Sequence, residues 1–469
     1  MLWHFFKFSN KYGGIIIFGI SEENNFSIEG VYDLNDLQKQ ISALCSDSME
    51  PTIRADITPI EYENKKLLAV QINEISQNKK PCYYKPKGLK NGSYTRVGDR
   101  DELMTDYEIY ALQSYNDHIF EDTRPTKRAN IEDLNNNELK KYIEKIKFKK
   151  PHFSNNSFDK CLKLCGIIDT NNNQKYPTLA GTMIFGEYPQ SFYPQLFIAC
   201  AVIPGKELGE IGDHGERFID NKRIEGTIEE MLEDTMKFIK RNMKTRIIID
   251  SDGIRKDQCE YPPEALREAI ANALIHRDYS TQTENAYISV YMYNDRIEII
   301  NPGALYGTNR LEKLGTATTM EARNPTIIRI LEEKGSMIEN RHSGIPTMRR
   351  EMRKYSLPDP EFYNERDSFK VILRNNYLFK DLQNNQATQI ATQIATQSLT
   401  KNDIEKLKLI VLEYCIQPKT SIEIRKHIKI ESKSILSRKI ISPLIKEGRL
   451  DYTNKSNINA RNQKYITIR

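Results

Sequence analysis

Glu268 and Asn272 are the residues of this chain whose types and spacing best suit chemistry. They lie four positions apart in residues 262–279, a run that begins with Pro262 and Pro263. Proline is favoured in the first turn of a helix, and residues at i and i+4 share a helix face, so one helix is expected to present both side chains together. A carboxylate can orient or deprotonate water, and an amide oxygen can ligate hydrated Mg²⁺. The alternative is a surface Glu and a helix-end Asn that only solvate and cap the helix.

Further motifs follow this helix in a fixed order. Residues 295–303 predict a strand that ends in the turn Asn301-Pro302-Gly303. Arg323-Asn324-Pro325 comes next, and residues 338–345 precede a basic helix expected around Met348–Tyr355. This order resembles the GHKL-type ATP-binding domain in the C-terminal half of RecG-related proteins and predicted transcriptional regulators. The upstream runs that resemble the same family, over roughly residues 125–375 in all, are Tyr176–Gly186, Pro189-Gln190, Ile203-Pro204-Gly205 and a helix near Ile224–Asn242.

The resemblance implies a role for most of these residues. Glu268 would be the general base that polarises the attacking water, and Asn272 would hold the Mg²⁺ that binds the phosphates. The other residues that the resemblance places at the nucleotide are Asn301 and Gly303 at the adenine, Ser343, Gly344 and Ile345 at the phosphates, and, as weaker candidates, His276 and Asp278 where the helix ends. We therefore expect ATP and Mg²⁺ as cofactors.

Two departures from the family pattern favour nucleotide binding over rapid hydrolysis. Asn301 stands where the wider superfamily has an Asp in the adenine-recognition turn, although an Asn can still accept a hydrogen bond from the adenine amino group. His342 stands where the phosphate loop usually has its first glycine, so a side chain narrows that loop. The sequence contains no Gly-x-x-x-x-Gly-Lys-[Ser/Thr] motif, so a true P-loop helicase is not expected.

The N-terminal part contains motifs of a second family. Ile15–Ile20 predicts a buried strand, Lys66–Ile72 and Ser93–Gly98 predict two more, and a helix is expected from about Thr105. The runs that resemble the Schlafen-type AlbA domain, which is described as DNA-binding, are Ser9-Asn10-x-x-Gly13-Gly14, Phe18-Gly19-Ile20, Glu29-Gly30-Val31, Lys80-Pro81-x-Tyr83 and Tyr94-x-Arg96-Val97-Gly98. Members that cut RNA have a carboxylate-bearing segment before the first of these runs. Because the sequence starts just before that run, ribonuclease activity is not expected, although a start codon placed too late would give the same appearance.

Composition excludes several classes of protein. The 469 residues predict about three domains. A hydrophobic content of 39% and a mean hydropathy of −0.62 fit a soluble globular protein. No apolar run reaches the ~20 residues of a membrane span, and no signal-peptide pattern is present, so we expect a cytoplasmic protein with no membrane partner. The seven cysteines include no Cys-x-x-Cys pair, which favours thiols over any disulfide partner.

Positive charge is concentrated near the C-terminus. Residues 401–469 contain 16 Lys and Arg and 7 Asp and Glu, a net charge of +9, whereas the whole chain carries +5.

Helices are expected over Asn402–Cys415, from Thr420 or Ser421, and over Lys433–Ile440, followed by strands near residues 449–452 and 463–468. Pro443-Leu444-Ile445, Gly448 and Gln463-Lys464-Tyr465 resemble the winged-helix tail of the same regulator family. The residues expected to contact DNA are Lys433, Ser434, Ser437, Arg438 and Lys439 on the third helix and Arg461 and Lys464 on the wing. A solvated basic face is the alternative.

The combined expectation is an α/β multidomain protein of the α+β type. Its expected regions are a Schlafen-type AlbA domain over residues 1–114, a GHKL-type α/β sandwich over 125–375, a low-complexity linker over 376–400 and a winged helix-turn-helix over 401–469, with a polar link at about 115–135.

Two classes of function remain open. One is a protein similar to transcriptional regulators, which binds ATP and DNA and changes its DNA binding when the nucleotide binds. Two copies are then expected to form a homodimer that pairs their winged helices. The other is an enzyme, either a slow DNA-dependent ATPase or a Schlafen-like nuclease of a defence system.

Overall fold

The chain folds into two compact units, Met1–Asn375 and Asn376–Arg469. The computed structural model describes residues 5, 8–97, 100–171, 174–212, 214–249, 255–316, 320–335, 344–375, 401–428, 436–453 and 463–468. The expected linker over residues 376–400 lies outside the described residues. Within the described ranges, no helix is long and apolar enough to span a membrane.

The first unit alternates helices with strands. Its helices are α1 Leu34–Ala43, α2 Gly88–Gly92, α3 Asp106–Asn116, α4 Asn136–Lys149, α5 Phe158–Leu164, α6 Leu179–Phe185, α7 Ile228–Asn242, α8 Pro263–His276, α9 Pro325–Lys334 and α10 Gly344–Lys354. Its strands are β1 Gly14–Phe18, β2 Ile20–Ser21, β3 Ser27–Ile28, β4 Met49–Glu50, β5 Ala55–Tyr62, β6 Lys65–Ile72, β7 Tyr83–Tyr84, β8 Tyr94–Val97, β9 Arg100–Leu103, β10 Ile168–Asn171, β11 Gln174–Pro177, β12 Ile198–Val202, β13 Asp220–Ile224, β14 Thr245–Ile249, β15 Arg255–Cys259, β16 Ile288–Met292, β17 Arg296–Pro302, β18 Glu361–Asn364 and β19 Ser368–Arg374. The result is a mixed α/β unit.

A three-stranded antiparallel sheet, in the order β1-β6-β5 among the described residues, lies in the N-terminal part of this unit. Helix α1 packs against β5 and β6, and Phe18 joins the core that forms there. The strand expected over Ile15–Ile20 is β1, but it is not buried, since Ile15 and Ile17 are 60% and 48% exposed. The expectation was wrong because β1 is an edge strand with alternating side chains, and only one of its faces packs on the core.

The expected polar link after α3 is packed into the unit. Asp122 is fully buried, and its Oδ2 accepts hydrogen bonds from the backbone N–H groups of Thr326 and Ile327 at 2.7 and 3.0 Å. Asp122 therefore satisfies two of the free N–H groups at the start of α9. The polar link expected at about 115–135 is thus held against α9 by hydrogen bonds between groups about two hundred residues apart in the chain.

A six-stranded mixed sheet, counted over the described part of the chain, organises the rest of the first unit. Its strand order is β13-β12-β16-β17-β19-β18, with β12 and β16 parallel and the other neighbours antiparallel. Helices α7 and α8 pack against this sheet and against each other, and α10 packs against α8. The helix expected from Ile224 begins at Ile228, because Ile224 pairs with Ile198 at the edge of the sheet. This packing brings the end of α8 beside the end of β17.

The second unit contains short helices and a small sheet. Its helices are α11 Lys401–Tyr414, α12 Ser421–His427 and α13 Ser442–Lys446, and its strands are β20 Lys419–Thr420, β21 Leu450–Tyr452 and β22 Lys464–Thr467. Thr420 caps α12 in a reciprocal capping box with Glu423, as its sequence predicts. Residues Leu436–Ile441 form a π-helical turn that leads into α13. Strand β20, which was not expected, pairs with β22 and makes the sheet three-stranded within the described residues.

The buried Asp122 predicts a distinctive dependence of stability on pH. Burial raises the pKa of its carboxyl to about 6, against the opposing hydrogen bonds from Ile327 and Thr326. Because the pKa is higher in the folded state than in the unfolded state, protonated Asp122 stabilises the fold. This stabilisation is fully present below the unfolded pKa of ~3.8 and is lost as the pH rises through the folded pKa of about 6. Relative to Asp122→Asn, we expect the wild type to lose about 2 kcal/mol of unfolding free energy between pH 4 and pH 6.5. Urea unfolding across this range measures it.

Asp117→Asn provides the matched control for this pH experiment, because Asp117 is exposed on the surface just after α3. Its unfolding free energy should follow that of the wild type at every pH. Parallel pH profiles for the wild type and Asp122→Asn would contradict the assignment.

Candidate functional site

Glu268 and Asn272 lie together on α8. Nδ2 of Asn272 donates a hydrogen bond to Oε1 of Glu268 at 3.2 Å, and both side chains are half-buried. Burial raises the pKa of the Glu268 carboxyl, while the Asn272 hydrogen bond and the Arg267 charge oppose the shift. A carboxylate with a raised pKa is better suited to take a proton near neutral pH. Since Nδ2 of Asn272 is engaged, its Oδ1 is the atom left to ligate a cation.

The first residue of α10, Gly344, lies directly against this pair. A Cβ atom built on Gly344 would lie 2.1 Å from Oε1 of Glu268 and 3.1 Å from Nδ2 of Asn272. Any side chain at this position would displace the carboxylate, so glycine permits the close approach of the two helices. The first N–H groups of a helix have no partner within that helix and carry a partial positive charge. A carboxylate, an amide and a helix N-terminus therefore meet at one place.

Of the three residues expected at the phosphates, Gly344 and Ile345 fall within the described residues, whereas Ser343 and the preceding His342 lie outside them. Ile345 is half-buried and packs against the hydrophobic core. Its backbone, rather than its side chain, is therefore the part that can face an anion.

A second cluster forms where the chain leaves α8 and β17. The backbone N–H of Asp278 donates to the carbonyl of Pro302 at 3.0 Å. Gly303 follows with a φ of +105°, in the left-handed region that favours glycine. A Cβ atom on Gly303 would lie 2.5 Å from Cβ of Asp278 and 2.2 Å from Nη1 of Arg323. Glycine is thus needed here both for the backbone conformation and for the close packing.

Asp278 is a buried carboxylate with several partners. Its Oδ2 accepts a hydrogen bond from the Tyr107 hydroxyl at 2.9 Å and lies 3.3 Å from Nη1 of Arg323. Its Oδ1 accepts one from the N–H of Ser280 at 2.9 Å. Burial alone would raise the pKa of this carboxyl, but the Arg323 charge and the hydrogen bonds outweigh burial and hold the pKa below its usual range. Asp278 is therefore ionised at neutral pH.

Tyr107 and Arg323 belong to this cluster, but the sequence analysis did not select them as site residues. Tyr107 lies on α3, 171 positions before its partner, and no sequence signal connects the two. Arg323 had a signal, because it directly precedes Asn324-Pro325 in the motif order. Nδ2 of Asn324 donates to the carbonyls of Ile275 and Arg277 at 2.8 and 2.7 Å, which fixes this segment under the end of α8.

His276 and Asn301 lie near the same strand and helix ends and have different environments. The pKa of His276 is lowered to about 4, chiefly by desolvation from the surrounding protein and secondly by the positive charge of Arg323. Part of the residue is nevertheless exposed to solvent. His276 is therefore neutral at pH 7. Asn301 is only 5% exposed, and its Oδ1 has no hydrogen-bond partner among the described residues. A buried acceptor of this kind is suited to a donor that arrives from outside the protein.

A metal ion at Asn272 would need ligands from a bound molecule. Within the described ranges, no group of three or more His, Cys, Asp or Glu side chains could hold a metal ion. Mg²⁺ is often held by one or two protein oxygens together with the phosphates of a nucleotide. The Asn272 oxygen beside the N-terminus of α10 fits that arrangement.

The residues expected to contact DNA are only partly within the described residues. Ser437 and Lys439 are exposed in the turn over Leu436–Ile441, and Lys464 is exposed on β22. No side chain is described for the other residues expected to contact DNA, which are Lys433, Ser434, Arg438 and Arg461. The three described residues keep their polar groups on the surface, where a nucleic acid can reach them.

Comparisons with protein-family models match three parts of the chain. Residues 5–105 match the model "Schlafen, AlbA_2", and residues 285–373 match "Putative ATP-dependent DNA helicase recG C-terminal". The chain carries the domains of the RecG-related, AlbA-type family. The chain also matches a "Domain of unknown function (DUF8451)" over residues 111–199. The RecG-type match contains Asn301, Gly303 and Gly344, whereas Glu268 and Asn272 precede it.

Two solved structures are similar to parts or all of the chain. One is the DIP2311 protein from Corynebacterium diphtheriae, at 15% identity and a TM-score of 0.41, with 100% of this chain and 86% of that chain covered. The other is the N-terminal domain of a "Putative ATP-dependent DNA Helicase RecG-related Protein" from Nitrosomonas europaea, at 24% identity and a TM-score of 0.18, with 22% and 72% covered. No curated protein matches the chain. The assignment of the AlbA-type and RecG-type regions therefore rests on the family models and not on these structures.

Gly303→Ala tests the packing of the second cluster. Gly209 has a similar φ of +100° but nothing within 4 Å of a built Cβ, so Gly209→Ala introduces the backbone strain without the clash. We expect Gly303→Ala to reduce the unfolding free energy by about 1–3 kcal/mol more than Gly209→Ala, which is the usual cost of overpacking. Urea unfolding of both variants measures the difference. Equal losses would show that the space beside Asp278 and Arg323 is not tight.

Proposed function

We propose that this chain is a regulatory protein that binds an Mg²⁺–nucleoside triphosphate, ATP by resemblance, and binds DNA, with nucleotide binding modulating DNA binding. The observation that carries this proposal is the contact of Gly344 with Glu268 and Asn272, because it unites groups from two separate segments. A helix N-terminus suits phosphate, and the amide and carboxylate suit Mg²⁺ and water. The RecG-type match over residues 285–373, an ATPase-like domain, supports the proposal.

Each group has a separate task in the proposed site. The N-terminus of α10 faces the phosphates, Oδ1 of Asn272 ligates the Mg²⁺, and Glu268 orients a water molecule. Bound Mg²⁺ would neutralise phosphate charge and hold the nucleotide in one geometry. Asn301 and Gly303 face the base, and neutral His276 adds no charge beside it. In this proposal the six-stranded sheet with α7 and α8 is a GHKL-type sandwich.

DNA binding is proposed for the second unit as a winged helix. The exposed Ser437 and Lys439 precede α13, and the exposed Lys464 lies on the strand β22. The net charge of +9 over residues 401–469 favours the phosphate backbone, whose contacts supply affinity more than sequence specificity. The AlbA-type match over residues 5–105 supports a second DNA contact in the first unit.

Helix α3 links the AlbA-type region to the proposed nucleotide site. This helix follows that region directly, and its Tyr107 hydroxyl donates to Asp278 and accepts from the N–H of Ala304 at 3.3 Å. Tyr107 therefore contacts both the end of α8 and the turn that follows β17. A nucleotide that shifts this turn changes the environment of α3, which provides the differential contact that coupling requires.

Two arginines of the RecG-type region form ion pairs with acidic residues of the AlbA-type region. Arg366, between β18 and β19, ion-pairs with Glu102 at 2.8 Å and with Glu108 at 2.6 Å. Arg310, in the segment that follows Gly303, ion-pairs with Glu74. The two regions therefore share a polar interface, which supports transmission between them.

Slow ATP hydrolysis is the second candidate function. The raised pKa of Glu268 favours it, because a carboxylate that is less acidic is a stronger base. The nuclease alternative stays a prediction from the sequence alone.

Asn272→Ala tests the nucleotide site. Saturating ATP with Mg²⁺ should raise the melting temperature of the full-length wild type, since a ligand at a hundred times its Kd stabilises the fold by about 2.7 kcal/mol. The variant should lose most of this shift because it has no amide oxygen for the Mg²⁺. Asn242→Ala is the matched control, since Asn242 ends α7 and binds Asp220 instead, and its shift should remain.

The wild type and the Glu268→Gln variant distinguish ATP binding alone from ATP hydrolysis. If the wild type shows no stabilisation by ATP, the nucleotide proposal is wrong. If binding is present, phosphate release from the wild type that Glu268→Gln abolishes without weakening ATP binding would establish the slow ATPase.

Tyr107→Phe tests the coupling. The DNA affinity of the wild type, measured by fluorescence anisotropy, should change about fivefold or more when a non-hydrolysable ATP analogue and Mg²⁺ are added. Removal of the Tyr107 hydroxyl should leave both ligands able to bind but bring this ratio towards one. Tyr32→Phe is the control, because Tyr32 is fully exposed. An unchanged ratio in Tyr107→Phe would refute this route of coupling.

A further inference from the structure

Residues 140–163 form a basic surface that includes most of α4, the turn after it and most of α5. The segment contains eight Lys and two acidic residues, a net charge of +6. Since the whole chain carries +5 and residues 401–469 carry +9, the remaining residues, 1–139 and 164–400, carry −10. This lysine surface is therefore a local excess of positive charge on an otherwise acidic part of the chain. It lies outside the AlbA-type and RecG-type matches and inside the match of unknown function.

Half of the lysines on this surface are exposed and have no ion-pair partner among the described residues, namely Lys140, Lys149, Lys160 and Lys163. Of the two acidic residues, Asp159 is already ion-paired with Lys175 on β11, which leaves Glu144. Free ammonium groups of this density attract a polyanion.

The two helices that carry these lysines form one ordered unit. Helix α5 packs against α4. Nζ of Lys147 donates a hydrogen bond to the carbonyl of Asn156 at 2.8 Å, which ties the end of α4 to the turn before α5. The lysines are therefore presented together on a fixed scaffold.

Phe148 lies in the middle of this surface and is 90% exposed. Its neighbours Phe153 and Phe158 pack against the core, whereas Phe148 does not. At about 100° per residue, Phe148 lies opposite the buried stripe of α4 that includes Ile143 and Ile146. Because an apolar side chain stabilises a fold by leaving water, Phe148 contributes little to folding, and both faces of its ring are open to a partner.

An open aromatic ring among free lysines suits a single-stranded nucleic acid. Ammonium groups contact the phosphates, and an unpaired base stacks on the ring. A duplex also offers phosphates, but its bases are stacked on one another and cannot reach the ring. A lipid surface fits less well, since interfacial helices insert a whole apolar face, and the exposed side chains of α4 other than Phe148 are polar or charged.

We propose that the lysine surface binds single-stranded nucleic acid, with one unpaired base stacked on Phe148. The lysines that contact the phosphates are Lys140, Lys149, Lys160 and Lys163. This site goes beyond the proposed function, since it uses neither the nucleotide site nor the second unit. Stacking accepts any base, so the site provides affinity for single strands without sequence specificity.

Phe148→Ala tests the stacking contact by fluorescence anisotropy of the full-length protein. The probes are labelled oligo(dT) and oligo(U) of about 12 nucleotides and a DNA duplex of about 12 base pairs. We expect the variant to bind both single strands about fivefold or more weakly, to bind the duplex as the wild type does, and to keep the melting temperature of the wild type. Phe148→Trp should retain single-strand binding, because it keeps an aromatic face.

Phe218→Ala is the matched control, since Phe218 is 41% exposed but lies between the acidic residues Glu216 and Asp220. Its affinity for single strands should equal that of the wild type.

The double variant Lys149→Ala/Lys163→Ala tests the phosphate contacts. Each phosphate contact on a single strand adds about 0.7 to the slope of log affinity against log salt, so the slope for oligo(dT) should fall by about 1.4. Lys206→Ala/Lys240→Ala removes the same charge from exposed positions elsewhere in the first unit. That control should keep the slope of the wild type.

Three results would overturn the proposal. One is equal affinity of the wild type and Phe148→Ala for both single strands, and another is an equal loss of single-strand and duplex binding in that variant. Either leaves the ATP and duplex binding of the proposed function intact. The third is binding to phosphatidylserine vesicles that depends on Phe148 while single-strand binding does not, which would assign the surface to a membrane.

Discussion

The buried ion pair of Asp278 and Arg323 is the interaction on which the arrangement of the candidate site depends. It joins four parts of the chain, namely the end of α8, the turn after β17, the segment before α9 and, through Tyr107, the helix α3. A buried pair of this kind is a weak source of net stability, but loss of one partner leaves an uncompensated charge and costs about 3–5 kcal/mol. The pair therefore specifies which segments meet, more than it adds to the total stability.

Two glycines permit the close approaches that complete the site. Gly303 leaves room for Asp278 and Arg323, and Gly344 leaves room for Glu268 and Asn272. At both positions a side chain would occupy the space in which backbone and polar groups now meet. The site consequently offers backbone N–H groups and small polar side chains, which suit an anionic and hydrogen-bonding ligand better than an apolar one. This character agrees with the ATPase-like family match over residues 285–373.

The same arrangement relates binding to regulation in the proposed function. The polar side chains of the site also contact the helix that follows the AlbA-type region, because Tyr107 on α3 donates a hydrogen bond to Asp278. Ligand binding would then alter the contacts of α3 directly, without a long series of intermediate residues. In the same proposal, the exposed Lys439 and Lys464 of the second unit would contact DNA phosphates, which carry no sequence information.

The sequence by itself indicated several local elements and the order of the AlbA-type and RecG-type regions. Paired prolines predict the start of α8, the apolar run before Asn301-Pro302-Gly303 predicts β17, and Thr420 with Glu423 predicts the cap of α12, because these features depend on near neighbours in the sequence. The order of the motifs also indicated the AlbA-type and RecG-related family, which the family models confirm. The same motif order placed Glu268 and Asn272 in the candidate site.

Only the tertiary structure decided what surrounds these elements. It exposed half of β1, buried Asp122 under α9, brought Tyr107 to Asp278 and left Oδ1 of Asn301 without a partner. Partners separated by 171 and 204 positions leave no periodic trace in a single sequence, because periodicity records only which face of an element is buried. Which polar group meets which across the core depends on how the sheet and its helices pack.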